Sequence, residues 1–402
     1  VGVNREIEFA MDLFREYYRR SPPPAPADLR DREFGFMFFD RDFVRRHMGF
    51  LEENDFRRFL LNQVPSHAYF SSALYQRPSA PTMDLKGWKG ADLIFDLDAD
   101  HIPGAEGLSY QDMLVLVKKE AMTLLDRFIF GEFGFDEKYV RISFSGGRGY
   151  HVHVRDPRVR TLGSHERGEI IDFVGGTDLD LDGLFPSTAS MKKDFKEKVK
   201  VERAFRIPGK DEGGWRCFGR EVMAKVAGEI AVMSNQGLRE RYPLLQGAKD
   251  ATLEDMRRSL HGKRGETTGL GLMMREDSLE YFTSDRVKEL FIQMVLRSLK
   301  ERMAGHIDEP VTRDVKRLIR LPGSLHGKTG LKVVTLTREQ MNQFDPLRDA
   351  VPETLPDRAV KVVLKQRLDV HVKDFQVRGE GEIEVPAYAA LFLVLRRWAV
   401  LG

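Results

Sequence analysis

The decapeptide ADLIFDLDAD, Ala91–Asp100, limits the possible folds of this chain more than any other stretch. Leu93, Ile94 and Phe95 are apolar on both faces of an extended segment, the pattern of a central strand covered on both sides. Side chains two apart share a strand face, which sets Asp96, Asp98 and Asp100 on one side and Phe95, Leu97 and Ala99 on the other. Carboxylates crowded at the end of a buried strand repel one another and are driven toward protonation. Two arrangements relieve that conflict. The strand can reach solvent at Asp96, or a divalent cation can sit among the acids, because carboxylate oxygens are preferred ligands of Mg2+ and Mn2+. A similar alternation in TDLDLDG, Thr177–Gly183, lacks the apolar lead-in and reads as an exposed loop.

The rest of the composition bounds what such a strand can serve. With 402 residues the chain can hold one large domain or two smaller ones. Its 64 Lys and Arg against 62 Asp and Glu give a net charge of +2, which neither requires nor excludes a nucleic-acid partner; only local clustering can speak to that. The single cysteine, Cys217, excludes an internal disulfide and a multi-cysteine zinc or iron–sulfur site, and fits a reducing intracellular compartment. No apolar run of about 18 residues is present, so neither a transmembrane helix nor a membrane partner is expected. The N-terminal VGVNREIEFAMDLF carries charges within its apolar pattern and reads as an amphipathic helix rather than a signal peptide.

Periodicity predicts an α/β (α+β) protein with a mixed sheet. A helix is expected over Asn4–Arg20, then a loop at SPPPAPAD, a strand in REFGFMFFD, and two short helices in DRDFVRRHMGF and ENDFRRFLLNQV. The acidic strand follows, then a helix over Ser109–Phe128 and a strand pair in KYVRISFSGGRGYHVHVRD. Helical texture dominates 165–298, as in MKKDFKEKVKVERAF, whose lysines suggest a solvated helix face, and in SDRVKELFIQMVLRSL. The expected organisation is therefore a core of 1–164 and 299–402 with a helical insertion between. Helix, loop and strand are expected again across RDVKRLIRLPGSLHGKTGLKVVTL; strands in AVKVVLKQ and DVHVKDFQV and an amphipathic helix in PAYAALFLVLRRWAVL end the chain.

Two further segments carry chemistry. In ISFSGGRGYHVHV, a strand enters a glycine turn whose amides can cradle an anion, with Ser145 adding a hydroxyl and Arg148 a planar cation. A plain hairpin turn would look the same. The turn lacks the Lys-Ser/Thr of a Walker loop, and a strand follows it, unlike in a dinucleotide fingerprint. His151 and His153 share a face, and His153, farther from the turn, reads as structural. In LPGSLHGKTG, Pro322, Gly323, Gly327 and Gly330 hold a loop on which Arg320, His326 and Lys328 can converge on a triphosphate or nucleic-acid backbone; a solvated basic turn is the plainer reading. Asp308, ahead of that segment, can reach a metal at Asp96 and Asp98 only if the fold brings them together.

Taken in order, Asp96-Leu97-Asp98, Ser145-Gly-Gly-Arg148-Gly-Tyr-His151, and Asp308 followed by His326 in SLHGKTG resemble the catalytic small subunit of archaeal and eukaryotic-type DNA primase. REFGF, RHMGF, ERGEIIDFVGGT and VPAYAALFLVL extend the resemblance over nearly the whole chain. It implies a primase catalytic core in which Asp96, Asp98 and Asp308 hold two Mg2+ or Mn2+ ions. It implies that Ser145, Arg148, His151, Arg320, His326 and, less specifically, Lys328 contact the incoming nucleotide. The implied activity is template-directed synthesis of short RNA primers on single-stranded DNA from ribonucleoside triphosphates, with dNTP use open. A large primase subunit is the implied partner and the cytoplasm of an archaeal cell the implied location. Many relatives carry a cysteine/histidine zinc site after the DxD motif. HIPGAEGLSYQDMLVL contains no cysteine, so structural zinc is not expected. A repair or primer-extending polymerase of the same superfamily, a metal-dependent nuclease and a non-catalytic DNA-binding subunit are the competing readings.

Overall fold

In the computed structural model, residues 5–102, 104–177, 184–185, 187–193, 199–209, 212–303 and 308–402 are described, with backbone alone at 187–193, 199–204 and 301–303. The chain divides into two compact units, Val1–Ile171 with Gly305–Gly402, and Asp172–Ala304.

In the first unit the strands are β1 Phe34–Met37, β2 Arg45–Met48, β3 His67–Ser71, β4 Ala73–Tyr75, β5 Trp88–Ala91, β6 Leu93–Asp98, β7 Val140–Phe144 and β8 Gly149–Val154. The second unit contributes the hairpin β9 Ser187–Lys193 and β10 Val199–Phe205 and the two-residue β11 Lys263–Arg264 and β12 Thr267–Thr268. The first unit resumes with β13 Leu318–Arg320, β14 Val334–Leu336, β15 Ala359–Val372, β16 Phe375–Pro386 and β17 Ala399–Leu401. Two four-stranded sheets, β13-β3-β1-β2 and β14-β7-β8-β6, form the centre of this unit. With helices beside these sheets the core is α/β in class, but every strand pair among the described residues is antiparallel rather than mixed.

The apolar start of β6 explains its place. Phe95 and Leu97 are buried on one face, which the helix Tyr110–Thr123 contacts. On the other face Ile94 joins Phe34, Phe36, Phe70 and Ile319 in one core cluster. His153, opposite Ile94, stacks on Phe70 with ring centroids 6.1 Å apart, so it is structural, as expected. One strand face thus passes from hydrophobic core at Ile94 to acid at Asp96.

Chain segments that leave one sheet for another strand their backbone carbonyls, and an arginine collects them. Arg32, fully buried, donates to the carbonyls of Ser71 (2.8 Å) and Ser72 (2.7 Å) and to Asp92 Oδ2 (2.8 Å). Ser72 separates β3 from β4, and Asp92 separates β5 from β6. Arg155 and Arg160 also approach Asp92, at 3.5 and 3.4 Å. Arg167 donates to the carbonyls of Asp92 and Ala91 at 2.9 and 2.8 Å. The segments REFGF and ERGEIIDFVGGT therefore supply structural cations.

Several expectations change. DRDFVRRHMGF contains strand β2, not a helix: Arg46 grips buried Glu33 with two nitrogens, at 3.1 and 3.2 Å, and the His47 amide donates to the same carboxylate. MKKDFKEKVKVERAF is drawn out into β9 and β10, because Val199 and Val201 alternate with Lys200 and Glu202 at strand period. The solvated lysine helix is replaced accordingly; 194–198 and the acids of TDLDLDG, Asp178, Asp180 and Asp182, lie outside the described residues. The helix expected in VTRDVKRLIR stops at Arg313, and Leu318–Arg320 is strand β13 against β3. The closing helix, Ala387–Leu395, is buried at every position from Ala387 to Val394 and is no amphipathic surface element. The helix begun at Ser109, which caps it by accepting from the Asp112 amide, continues past Thr123 as a wider π-helical stretch to Glu132. Among the described residues, no helix is long and apolar enough to cross a membrane.

Removing one partner of a buried ion pair leaves the other charge stranded, at about 3–5 kcal/mol. Asp92→Ala removes the buried carboxylate shared by Arg32, Arg155 and Arg160 and leaves Arg32 only the half-exposed Asp28, so urea unfolding should show a loss in that range. A loss under about 1 kcal/mol would contradict the role given to this node.

Candidate active site

Antiparallel register decides which side chains meet. Asp96 lies opposite His151 and Asp98 opposite Gly149. A Cβ at position 149 would fall 2.3 Å from the Leu97 carbonyl oxygen, so glycine is needed for the two strands to pair there. His151 Nε2 stands 3.4 Å from Asp96 Oδ1. Asp100 leaves the strand in a short 3-10 turn, Ala99–His101, and does not share the face of Asp96 and Asp98 as the alternation predicts. Its amide donates to Asp98 Oδ1 at 3.1 Å, and its carboxylate pairs with Arg148, whose Nη2 is also 3.9 Å from Asp98.

Asp308 comes to this strand end through its backbone. Its N–H donates to the carbonyl of Asp96 at 2.9 Å, and its carboxylate faces His101 Nε2 at 3.6 Å. Burial pushes the Asp96 carboxyl above its ordinary pKa; Asp98 and Asp308 add to the rise, against His151 and Arg317. Burial holds His151 below its ordinary value, opposed by Asp96. Asp96 therefore feels both of the other acids.

The basic loop is laid directly on the glycine turn. Gly146 has φ +76°, and a Cβ there would come within 2.8 Å of the His326 Cβ and 3.0 Å of the Leu331 carbonyl oxygen. Thr329 Oγ1 donates to the Gly146 carbonyl at 2.5 Å. The bare turn thus serves to let the loop approach. Its amides are less open than the sequence suggests: Ser145 Oγ accepts from both Gly147 and Gly149, each at 3.2 Å.

Arg320 lies opposite Tyr69 in the β13–β3 register and holds its guanidinium 4.6 Å over that ring. It donates to His67 Nδ1, and its Nη2 is 3.2 Å from His326 Nε2. Burial, with Arg320 and Lys328 nearby, takes the His67 pKa down to about 2. Burial and the surrounding cations likewise drive His326 well below its ordinary value. Both imidazoles are neutral in this crowd of positive charge, and an entering anion would relieve that crowding.

A pocket of about 500 Å³ receives these groups. Asp96, Asp98, Ser145, Arg148, His151, Arg320, His326 and Lys328 all line it. Asp308 does not line it, although its amide is bonded to the Asp96 carbonyl. Tyr69, Arg317, Thr329 and Arg396 also line the pocket and were not singled out from the sequence. Arg317 lies in the segment RDVKRLIR just ahead of the basic loop, whereas Tyr69 and Arg396 carry no local signal. Acids gather at one part of the lining and cations around the turn and loop, an arrangement suited to a polyphosphate whose reacting phosphorus lies toward the acids.

The carboxylates of Asp96, Asp98 and Asp308 offer the oxygen donors that Mg2+ or Mn2+ prefers. The raised pKa of Asp96 is the electrostatic conflict that a cation would remove. Among the described residues no three acid, histidine or cysteine side chains are grouped to hold a metal ion, so an ion here would need further ligands from water or phosphate.

The DNA primase small subunit family matches residues 95–338, a span that runs from Phe95 beside the acidic pair to Arg338 beyond the basic loop. The chain belongs to the DNA primase small subunit family. It is 40% identical to the DNA primase small subunit PriS of Methanocella arvoryzae over 400 residues, covering 96% of each chain. Against that of Methanococcoides burtonii the identity is 39%, with 97% of each chain covered. Against that of Halorubrum lacusprofundi it is 37%, with 98% of this chain and 97% of the relative covered. DNA primase function is supported by this membership, and the acidic pair, the glycine turn and the basic loop fall within the matched span, with Tyr69 and Arg396 outside it.

A folded-state pKa above the unfolded one means that stability falls as pH rises from the unfolded value through the folded one, and that ionised Asp96 carries its full cost above both. Asp96→Asn should therefore melt at a higher temperature than the parent at neutral pH in chelator, and the gain should vanish as pH falls below about 4, where the unfolded carboxyl protonates. Added Mn2+ should stabilise the parent more than the variant. A variant that is less stable at neutral pH, or equally responsive to Mn2+, would contradict this electrostatic picture.

Proposed function

We propose that this chain is the catalytic subunit of a primase, joining ribonucleoside triphosphates into short RNA primers on single-stranded DNA. The observation that carries the reading is a single pocket lined by Asp96 and Asp98 together with Arg320, His326 and Lys328. In the reaction, the 3′-hydroxyl oxygen of one nucleotide bonds to the α-phosphorus of the next. The bond to the β-phosphate breaks, pyrophosphate leaves, and the hydroxyl proton passes to solvent.

The chain's own residues supply placement and charge. Asp96, Asp98 and Asp308 would hold two divalent cations, Mg2+ or Mn2+. When bound, such ions acidify the attacking hydroxyl and stabilise the leaving pyrophosphate. Arg320 and His326 would meet the phosphates, His67 and Tyr69 fixing the guanidinium between them. Arg148 would exchange its partners Asp98 and Asp100 for phosphate oxygens, giving up one charge pair for another. His151, beside Asp96, would orient that carboxylate and face the nucleotide, and Ser145 would do so with its hydroxyl proton. Fixed donors of this kind favour in-line geometry by removing reorganisation at the moment of reaction. A large primase subunit as partner and a cytoplasmic location complete the reading.

Asp96→Ala or Asp98→Ala should abolish metal-dependent incorporation of labelled nucleotide on unprimed single-stranded DNA while leaving the fold intact by circular dichroism. His326→Ala should chiefly weaken the apparent affinity for nucleotide, by roughly tenfold or more, as expected for loss of a phosphate contact. Near-normal turnover in the aspartate variants would reject the assignment. Incorporation by the parent only when a primer is supplied would favour a primer-extending polymerase, and metal-dependent loss of labelled DNA would favour a nuclease.

A further inference from the structure

Arg396, like Arg317, is a cation of the pocket lining that the reaction scheme leaves unused. It follows the buried closing helix, and its guanidinium carbon lies 4.4 Å from the centre of the Tyr110 ring and 4.8 Å from that of Trp398. The two rings meet edge to face, with Phe392 packed against both. Contacts of this kind engage the flat face of a guanidinium and leave its in-plane N–H groups free to donate. Arg396 Nε is buried with no hydrogen-bond partner.

Its electrostatic surroundings differ from those of the other arginines in the pocket. Arg148 is held by Asp98 and Asp100. Arg320 lies in the field of Asp96 and Asp98, and Arg317 acts on Asp96. The ionisable groups acting on Arg396 are Tyr110, whose hydroxyl burial keeps un-ionised, and Arg148, a second cation. Among the described residues no carboxylate forms an ion pair with it. Tyr110 in turn donates to the carbonyl of Gly147, at 2.6 Å, so the aromatic mount is fixed to the glycine turn itself.

We propose that Arg396 binds the terminal phosphate of the incoming nucleoside triphosphate, making the pocket selective for triphosphates over monophosphates. The assignment rests on the polymerase reading of this pocket and adds a residue to it. Asp96 and Asp98 mark where the α-phosphorus reacts. A cation outside their field, on the glycine-turn side, meets the far end of the polyphosphate, which departs as pyrophosphate.

The test is calorimetric binding of ATP, AMP and inorganic tripolyphosphate to the full chain and to two variants. Arg396→Met keeps an apolar stem against the rings and removes the charge; Arg396→Lys keeps a charge without the planar donors. Arg396→Met should weaken ATP and tripolyphosphate by about tenfold or more while AMP binding stays within twofold, and Arg396→Lys should lose less. Unchanged ATP binding in Arg396→Met, or equal losses for ATP and AMP with a lowered melting temperature, would overturn the proposal and leave Arg396 a structural residue. A parent protein with no preference for ATP over AMP would instead overturn the reading of the pocket itself.

Discussion

The hydrogen bond from the Asp308 amide to the Asp96 carbonyl joins two pieces of chain that the whole inserted unit separates in sequence. A backbone bond of this kind fixes position without drawing on either side chain, so both carboxylates remain available. It also places a third negative group against an already crowded strand end, adding to the rise that burial gives the Asp96 pKa. The fold tolerates this crowding because the other end of the same strand is anchored in core, with Leu93, Ile94 and Phe95 almost wholly buried.

A second constraint operates across the pocket. The loop carrying His326 and Lys328 can lie on the 145–149 turn only because no side chain rises from Gly146. Glycine there is a requirement of approach, and Ser145 holds the resulting turn from inside with its hydroxyl. Acids on a strand end and cations on a loop are thus held apart by backbone geometry and do not collapse into ion pairs. Arg148 is the exception, since it bridges Asp98 and Asp100. Burial, reinforced by the neighbouring cations, keeps His67 and His326 neutral.

Much of this was legible in the sequence, and unevenly so. Strand period with an apolar lead-in identified β6, and the Ser-Gly-Gly-Arg-Gly turn identified its partner, because both signals are local. The resemblance to primase small subunits rested on three segments in order, and the family match agrees with it. Local patterns failed where tertiary partners decide. Arg45–Met48 is a strand because buried Glu33 captures Arg46 and the His47 amide, and Leu318–Arg320 is a strand because β3 offers an edge. The lysine-rich 191–200 carried a charge pattern that suits a helix and a hairpin equally. Tyr69 and Arg396 enter the pocket from elements whose own sequences speak of core and closure, and no spacing rule connects them to the motifs. The buried Arg32–Asp92 node was likewise hidden, since an arginine and an aspartate sixty residues apart look like two surface charges until the strands cross.

The account depends on acids and cations facing one another across a single cavity, with metal at one side and polyphosphate at the other. The most direct measurement is anomalous diffraction at the manganese edge from crystals grown with Mn2+ and a non-hydrolysable nucleoside triphosphate. The account predicts manganese peaks against the carboxylates of Asp96 and Asp98, within reach of Asp308, and phosphate density against Arg320 and His326. Manganese bound elsewhere, or a nucleotide whose phosphates turn away from the basic loop, would contradict it.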